Sequence, residues 1–290
     1  MDFKPGIYPG ITRADYDSVI ALNQSSIKLI DERHVKAAWR RLHHSDPPSQ
    51  KMIEGSAFHA LLLEPTLFAD RFIVRPKWNM STNIGKHARA AWESEHPGWQ
   101  LRFEILEEKH AELQIQIEAL RAHPVVGRWL EAVIHCECAI FWEHPEHGFP
   151  CKALVDGISR VDGRTIIWDP KTTRDATAGF WRKEIASRNY MVQAEWTMQG
   201  FDALAPAERD FFFVAIETEG DMDIGVYECG PLTRYEARHR IAKACKRWAQ
   251  AIESGIYPGA TTSVQQLEVP RWALTHEHDL DEMGEDDGGE

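Results

Sequence analysis

The sequence predicts a mixed α/β fold: a strand meander with helices before, between and after its strands. Three observations carry this. Apolar residues recur at helical spacing through the amino-terminal part, and strand-like apolar runs take over from about Ala139. Between two of those runs, Asp162-Gly163 is a strong two-residue hairpin signal.

In chain order, Ser25 or Ser26 can cap a helix running to about His43, before Pro47-Pro48 breaks the pattern. A second helix spans roughly Gln50 to Leu63, carries His59 and stops before Pro65. Phe103 to His123 reads as a long, polar-faced helix ended by Pro124. Strands are expected at Ala139–Trp142, Cys151–Ser159 and Arg164–Asp169. Helices follow at Ala176–Ser187 and Tyr190–Leu204, then strands at Asp210–Thr218 and Ile224–Cys229. A last helix starts near Pro231, which suits a first helical turn, and ends at Gly255, a natural C′ residue. This order implies one domain over residues 1–275, with a helical amino-terminal region and a short tail, 276–290, behind it. Gly-Ile-Tyr-Pro-Gly occurs at 6–10 and again at 255–259 without matching flanks, which reads as twin turns rather than a repeat.

Composition narrows the function classes. With 290 residues, 43% of them hydrophobic, the chain can bury a sizeable core and is not a disordered type. No run approaches the roughly 18 apolar residues that span a membrane. The opening Met1-Asp2-Phe3-Lys4-Pro5-Gly6 holds no apolar stretch of secretory type. The cysteines, Cys136, Cys138, Cys151, Cys229 and Cys245, are odd in number and scattered, which fits reduced thiols in a cytoplasm. Cys136 and Cys138 form a C-x-C pair with no second pair at metal-ligand spacing, and read as small buried hydrophobes. The formal net charge of −12 argues against a chain-wide phosphate-binding surface. Much of it sits in the tail, where Glu277, Asp279, Asp281, Glu282, Glu285, Asp286, Asp287 and Glu290 stand without a Lys or Arg, the pattern of a solvated, disordered segment.

The hairpin carries the chemistry. If Asp162 and Gly163 are the turn residues, Val161 pairs with Arg164 and Arg160 with Thr165, and the ladder carried onward sets Asp156 opposite Asp169. Directly opposed residues have Cβ atoms about 4.5–5.5 Å apart. Two carboxylates there repel unless something positive lies between them, and a hard divalent cation such as Mg²⁺ is the natural occupant. Lys171, two residues past Asp169, falls on the same face, where an ammonium can orient water and offset charge developing on phosphate. The plainer alternative is a turn at Asp156-Gly157 and a strand end at Asp169-Pro170-Lys171. His59, beside Leu61, Leu62 and Leu63, is by itself more often a satisfied core histidine. Glu137 lies between two cysteines and can point inward, where it would need a partner that a metal site supplies.

With these pieces in order, the chain resembles the RecE-like phage exonucleases (exodeoxyribonuclease VIII), in the RecB-type branch of the PD-(D/E)XK nucleases. The matching stretches are Gly6-Ile7-Tyr8-Pro9-Gly10, Ser25-Ser26-Ile27-Lys28, Gly55 to Pro65 around His59, Trp168-Asp169-Pro170-Lys171-Thr172-Thr173, and Tyr190-Met191-Val192-Gln193. Together they span roughly residues 5–260. The resemblance implies a restriction-endonuclease-like sheet flanked by helices. It implies that Asp156, Asp169 and the Pro170 carbonyl hold Mg²⁺ or Mn²⁺, that His59 helps hold a second metal or the scissile phosphate, and that Lys171 positions or activates water. Glu137, with Glu143 as a rival, would be the upstream acid, and Gln193 the helical glutamine. The tyrosine expected four residues after that glutamine is Thr197 here, with Trp196 beside it. The flanking cysteines of iron–sulfur relatives are absent, so no cluster is expected.

Backbone contacts to DNA are expected from basic residues at helical spacing, either Arg33, Lys36, Arg40 and His44 or Arg240, Lys243 and Arg247, though each set reads equally as a solvated helix face. By resemblance the function is hydrolysis of linear double-stranded DNA from its ends, 5′ to 3′, for phage-type recombination, with a single-strand annealing recombinase as partner and a homo-oligomeric ring as the assembly. Two rivals stand beside it: an endonuclease or repair nuclease of the same fold, and a non-catalytic DNA-binding protein, which intact Asp156, Asp169 and Lys171 disfavour.

Overall fold

A computed structural model describes residues 4–44, 46–261, 263–270 and 273, so the expected acidic tail lies outside the described residues. The chain opens with a short strand, β1 (Gly6–Tyr8), and helix α1 (Arg13–Ser18), capped by the Thr12 hydroxyl on the Asp15 amide at 3.1 Å. The helix expected from Ser25 to His43 is two helices, α2 (Gln24–Glu32) and α3 (Val35–His43). Arg33 leaves helical geometry at φ −130°, ψ −97°, and His34 starts the chain afresh by accepting the Ala37 amide on Nδ1 at 3.1 Å. The first cap is Asn23, not Ser25 or Ser26.

Helix α4 (Gln50–Leu63) spans the expected residues, with Ser49 as its cap. A small excursion follows: α5 (Phe68–Arg71), β2 (Phe72–Arg75), α6 (Asn83–Glu95) and β3 (Phe103–Leu106). Phe103–Leu106 was expected to open the next helix. It pairs in parallel with β2 instead, which buries Ile105 fully. A partner some thirty residues away overrides local helical preference there. The helix proper, α7 (Glu107–Ala122), begins after it, and α8 (Val126–Glu131) leads into the main sheet.

That sheet contains β4 (Val133–Glu143), β5 (Pro150–Val161), β6 (Arg164–Thr173), β7 (Arg209–Glu217) and β8 (Ile224–Glu228), in the order β1-β4-β5-β6-β7-β8 among the described residues. All neighbours are antiparallel except β6 and β7, which are parallel and joined through α9 (Ala178–Ser187) and α10 (Tyr190–Leu204). The turn between β5 and β6 uses Asp162 and Gly163 at φ 51° and 81°, and pairs Val161 with Arg164 and Arg160 with Thr165 as expected. The last helix, α11 (Pro231–Ser254), ends on Gly255 in the left-handed region.

Strand alternation splits the sheet's apolar residues between two cores. Ile167, Phe211, Phe213 and Ala215 face α2, α9, α10 and α11. Ile166, Trp168, Val214 and Ile216 face α4, α7 and α8. The sheet is therefore covered by helices on both faces, the restriction-endonuclease-like arrangement. Helix α10 crosses the sheet closely: a Cβ on Gly200 would lie 2.7 Å from the side chains of Ile140 and Trp142. The two Gly-Ile-Tyr-Pro-Gly copies do different work, the first forming β1 and the second opening on Gly255, the cap of α11.

Candidate active site

The β5–β6 ladder stops at Gly157 opposite Trp168. Beyond it β5 stays paired to β4, while β6 stays paired to β7 as far as Thr173. Asp156 and Asp169 come one step past that last pair, at the fork where the two central strands part. Gly157 makes the approach possible: a Cβ there would sit 2.3 Å from the Trp168 ring. The indole is pinned in turn, donating to Ser159 Oγ at 2.9 Å, whose hydroxyl donates to the Trp129 carbonyl at 2.8 Å.

Beside β5, which carries Asp156, four elements aim side chains into the fork. From α4, the His59 ring has Nδ1 3.4 Å from Asp156 Oδ1 and 3.9 Å from Glu137 Oε1, and Nε2 donates to the Pro170 carbonyl at 3.1 Å. Both ring nitrogens thus face acceptors, the pattern of an imidazolium. From β4, Glu137 enters with its backbone at φ 43°, a left-handed conformation that strands rarely tolerate outside functional sites. From β6, the Lys171 ammonium contacts Asp169 Oδ1. From α10, the Gln193 amide donates to Asp169 Oδ2.

The electrostatics follow from burying several charges together. Burial, with the Asp156 charge behind it, pushes the Asp169 carboxyl above its ordinary range despite Lys171. Glu137 is pushed up for the same two reasons. Asp156 goes the other way: burial would raise it, but His59 and then Lys171 hold it low. Burial would lower His59, but Asp156 outweighs that and raises it to about 9. Lys171 likewise stays charged because Asp169 and Asp156 outweigh its burial.

The sequence-predicted residues His59, Glu137, Asp156, Asp169, Pro170, Lys171 and Gln193 therefore converge. Glu143 does not: it is exposed at the other end of β4, opposite Pro150, so Glu137 is the acid that reaches the fork. Thr197 is buried, and the Trp196 indole donates to the Lys152 carbonyl in the core, so neither takes the place of the expected tyrosine. The aromatic ring at the site is Tyr190, with the Lys171 Nζ 5.7 Å from its centroid. Tyr190 and Lys28 were legible only as members of matched stretches, without a role. Of the basic residues, Arg33, Lys36, Arg40, His44 and Lys243 are exposed. Arg240 and Arg247 are spent internally, Arg240 on Asn189 Oδ1 at 3.0 Å and Asp31 at 3.5 Å, Arg247 on the Ile30 carbonyl at 2.5 Å.

The model of a PDDEXK-like domain of unknown function (DUF3799) matches residues 24–268. The chain belongs to this family. No curated protein matches the chain in sequence. Among solved structures, it is similar to a "Putative exonuclease" from Eubacterium rectale, at 13% identity and a TM-score of 0.60, over 92% of this chain and 98% of that one. The protein SSO0001 aligns at 14% identity over 74% of this chain and 99% of that one, with a TM-score of 0.28, too low to bear on the fold.

The residues at the fork suit the divalent cation that PD-(D/E)XK folds generally use. Donor atoms from His59, Glu137 and Asp156 all lie within 4.8 Å of one another. Asp169 is buried with Oδ1 against the Lys171 ammonium and Oδ2 against the Gln193 amide. Buried, convergent and oxygen-rich, the set matches a hard cation rather than a thiophilic one. No helix among the described residues is long and apolar enough to cross a membrane.

Proposed function

We propose that the chain is a Mg²⁺- or Mn²⁺-dependent exonuclease that hydrolyses linear double-stranded DNA from its ends, 5′ to 3′, in phage-type recombination. The observation that supports it most is the meeting of Asp156, Asp169 and Lys171 with Glu137 and His59 at one strand fork on this family's fold. The exonuclease name carried by the Eubacterium rectale protein agrees with that reading.

Asp156, Asp169 and the Pro170 carbonyl would hold the cation, with His59 and Glu137 completing its surroundings. Once bound, the ion supplies neutralisation of phosphate charge and a more acidic water. Gln193 fixes the Asp169 carboxylate through Oδ2, while Oδ1 faces the Lys171 ammonium. Lys171, charged throughout the physiological range, orients the attacking water and offsets charge as it builds on phosphorus. His59 donates to Pro170, which sets the carbonyl's direction. The exposed Arg33, Lys36 and Arg40 offer backbone contacts, which carry no direct sequence information. A nuclease without base readout needs another restriction, and a requirement for a DNA end provides it. A closed ring of subunits, delivering its 3′ strand to an annealing recombinase, would enforce that requirement.

Linear duplex and covalently closed circles of one sequence, incubated with Mg²⁺ or with EDTA, test this. Progressive loss of the linear form alone, only with Mg²⁺, is expected. Ready cutting of the closed circle would replace the exonuclease reading with an endonuclease of the same fold.

A further inference from the structure

Lys28 is a partly buried cation that the roles above do not use. It projects from α2, and its Nζ lies 5.2 Å from the Tyr190 ring centroid, the same ring that the Lys171 ammonium approaches at 5.7 Å. Two ammonium groups thus address one aromatic ring, and one of them, Lys171, also contacts Asp169. Among the described residues Lys28 makes no ion pair with a carboxylate within 4 Å. Its ammonium donates instead to the Arg188 carbonyl, at 2.9 Å. Glu32, one turn further along α2, is engaged by the Asn189 amide at 2.6 Å.

A half-buried ammonium ordinarily keeps a carboxylate partner, because desolvating charge is costly. Here the strongest charged influence on it is a second ammonium. Burial and then Lys171 pull Lys28 down to about 8, with Asp169 and Glu32 opposing. Lys171 has Asp169 for its partner, whereas Lys28, turned to the same ring, has a carbonyl and no carboxylate. Lys28 is therefore the cation of the two still short of an anion. A ring already shared by two cations cannot satisfy both, since each gains little beyond one cation–π contact.

We infer that Lys28 contacts a non-bridging oxygen of the DNA phosphate next to the scissile one, held in place by Tyr190 and the Arg188 carbonyl. This inference rests on the nuclease reading of the site. The carbonyl takes one of the three ammonium hydrogens and leaves the others for phosphate oxygens. Tyr190 ties this subsite to the centre, because Lys171 leans on the same ring and Gln193 follows on the same helix turn. Lys28 thereby adds binding of the substrate strand, whereas Lys171 acts on the bond that breaks.

The test uses the full chain as wild type, K28M and K28R, on short linear duplexes in Mg²⁺. Each duplex is made with an unmodified backbone or with one neutral methylphosphonate next to the first scissile phosphate. K28M should raise KM several-fold with kcat nearly kept, and flatten the dependence of log KM on log salt by about 0.9, the share of one phosphate contact. The methylphosphonate should weaken wild type and K28R but make no further difference to K28M. Equal sensitivity of K28M and wild type to the methylphosphonate would overturn the assignment. So would a K28M variant that melts lower and loses kcat at unchanged KM, because Lys28 would then be only a pin for the α9–α10 junction. A wild type that cleaves no linear DNA overturns the nuclease reading and this inference with it. A wild type that cleaves beside an indifferent K28M overturns the role of Lys28 alone.

Discussion

His59 stands with one ring nitrogen toward Asp156 and the other toward the Pro170 carbonyl, and this fixes how the site responds to pH. Its ordinary value of 6.5 is raised to about 9 in the folded protein. A base raised on folding adds stability that is complete below its unfolded value and fades as pH climbs through its folded one. The metal-free protein should therefore lose melting temperature between about pH 6.5 and 9. Mn²⁺ affinity should rise across the same window, because the imidazole must shed its proton to act as a ligand. Calorimetry in buffers of different ionisation enthalpy measures the protons released, and a pH-independent affinity would contradict the arrangement. Asp169→Asn should abolish both turnover and the rise in melting temperature that Mn²⁺ produces, while the metal-free variant melts no lower than wild type. The carboxyl it replaces is already pushed toward neutrality by burial and Asp156. Lys171→Met should cut the rate by orders of magnitude and leave Mn²⁺ binding largely in place, since an ammonium is not a ligand. Loss of metal binding in titration would refute that division of labour.

At the level of elements, the fork depends on Gly157. Its hydrogen is all that separates the strand from the Trp168 ring, so Gly157→Ala must displace the indole, and Asp169 is the next residue. We expect a cost of about 1–3 kcal/mol in urea unfolding, typical of overpacking a filled core. Activity should fall further than stability, because the two aspartates move apart. Full turnover in a folded Gly157→Ala protein would show that the register tolerates more play than the contact suggests. The same local chemistry explains what could be read from sequence. Asp162-Gly163 fixes its own turn, so the register could be counted residue by residue as far as Gly157 opposite Trp168, while the parting of the strands just before Asp156 and Asp169 could not. Caps and breakers such as Pro231 and Gly255 are equally local. Phe103–Leu106 was not legible, because its strand state comes from pairing with Phe72–Arg75. The left-handed backbone of Glu137 was not either, since nothing in its neighbours announces it. Arg240 and Arg247 looked like surface charge because their acceptors, Asp31, Asn189 and the Ile30 carbonyl, lie far away in sequence.

At the scale of the whole molecule, the ring proposed above predicts a purified species several times the chain mass of 33.2 kDa. Light scattering checks it, and a stable monomer that still degrades linear DNA processively would remove the ring from the account. A different consequence attaches to the way distant parts of the chain are tied together behind the site. Asn189, left-handed at φ 50°, bonds through its amide to Glu32 and to Arg240 at once. Lys28 reaches Arg188 across 160 positions, Arg240 reaches Asp31 across 209, and Arg247 reaches Ile30 across 217. The first helices and the last therefore grip the strand-bearing middle only when both exist. During synthesis, Asp156, Asp169 and Lys171 leave the ribosome well before residues 231–254, so the proposed centre has no finished scaffold until those residues have followed. On the nuclease reading, such a delay would keep a half-made chain from cutting nucleic acid. A chain ended before Pro231 is accordingly expected to emerge inert, even though every residue of its proposed metal cluster is present.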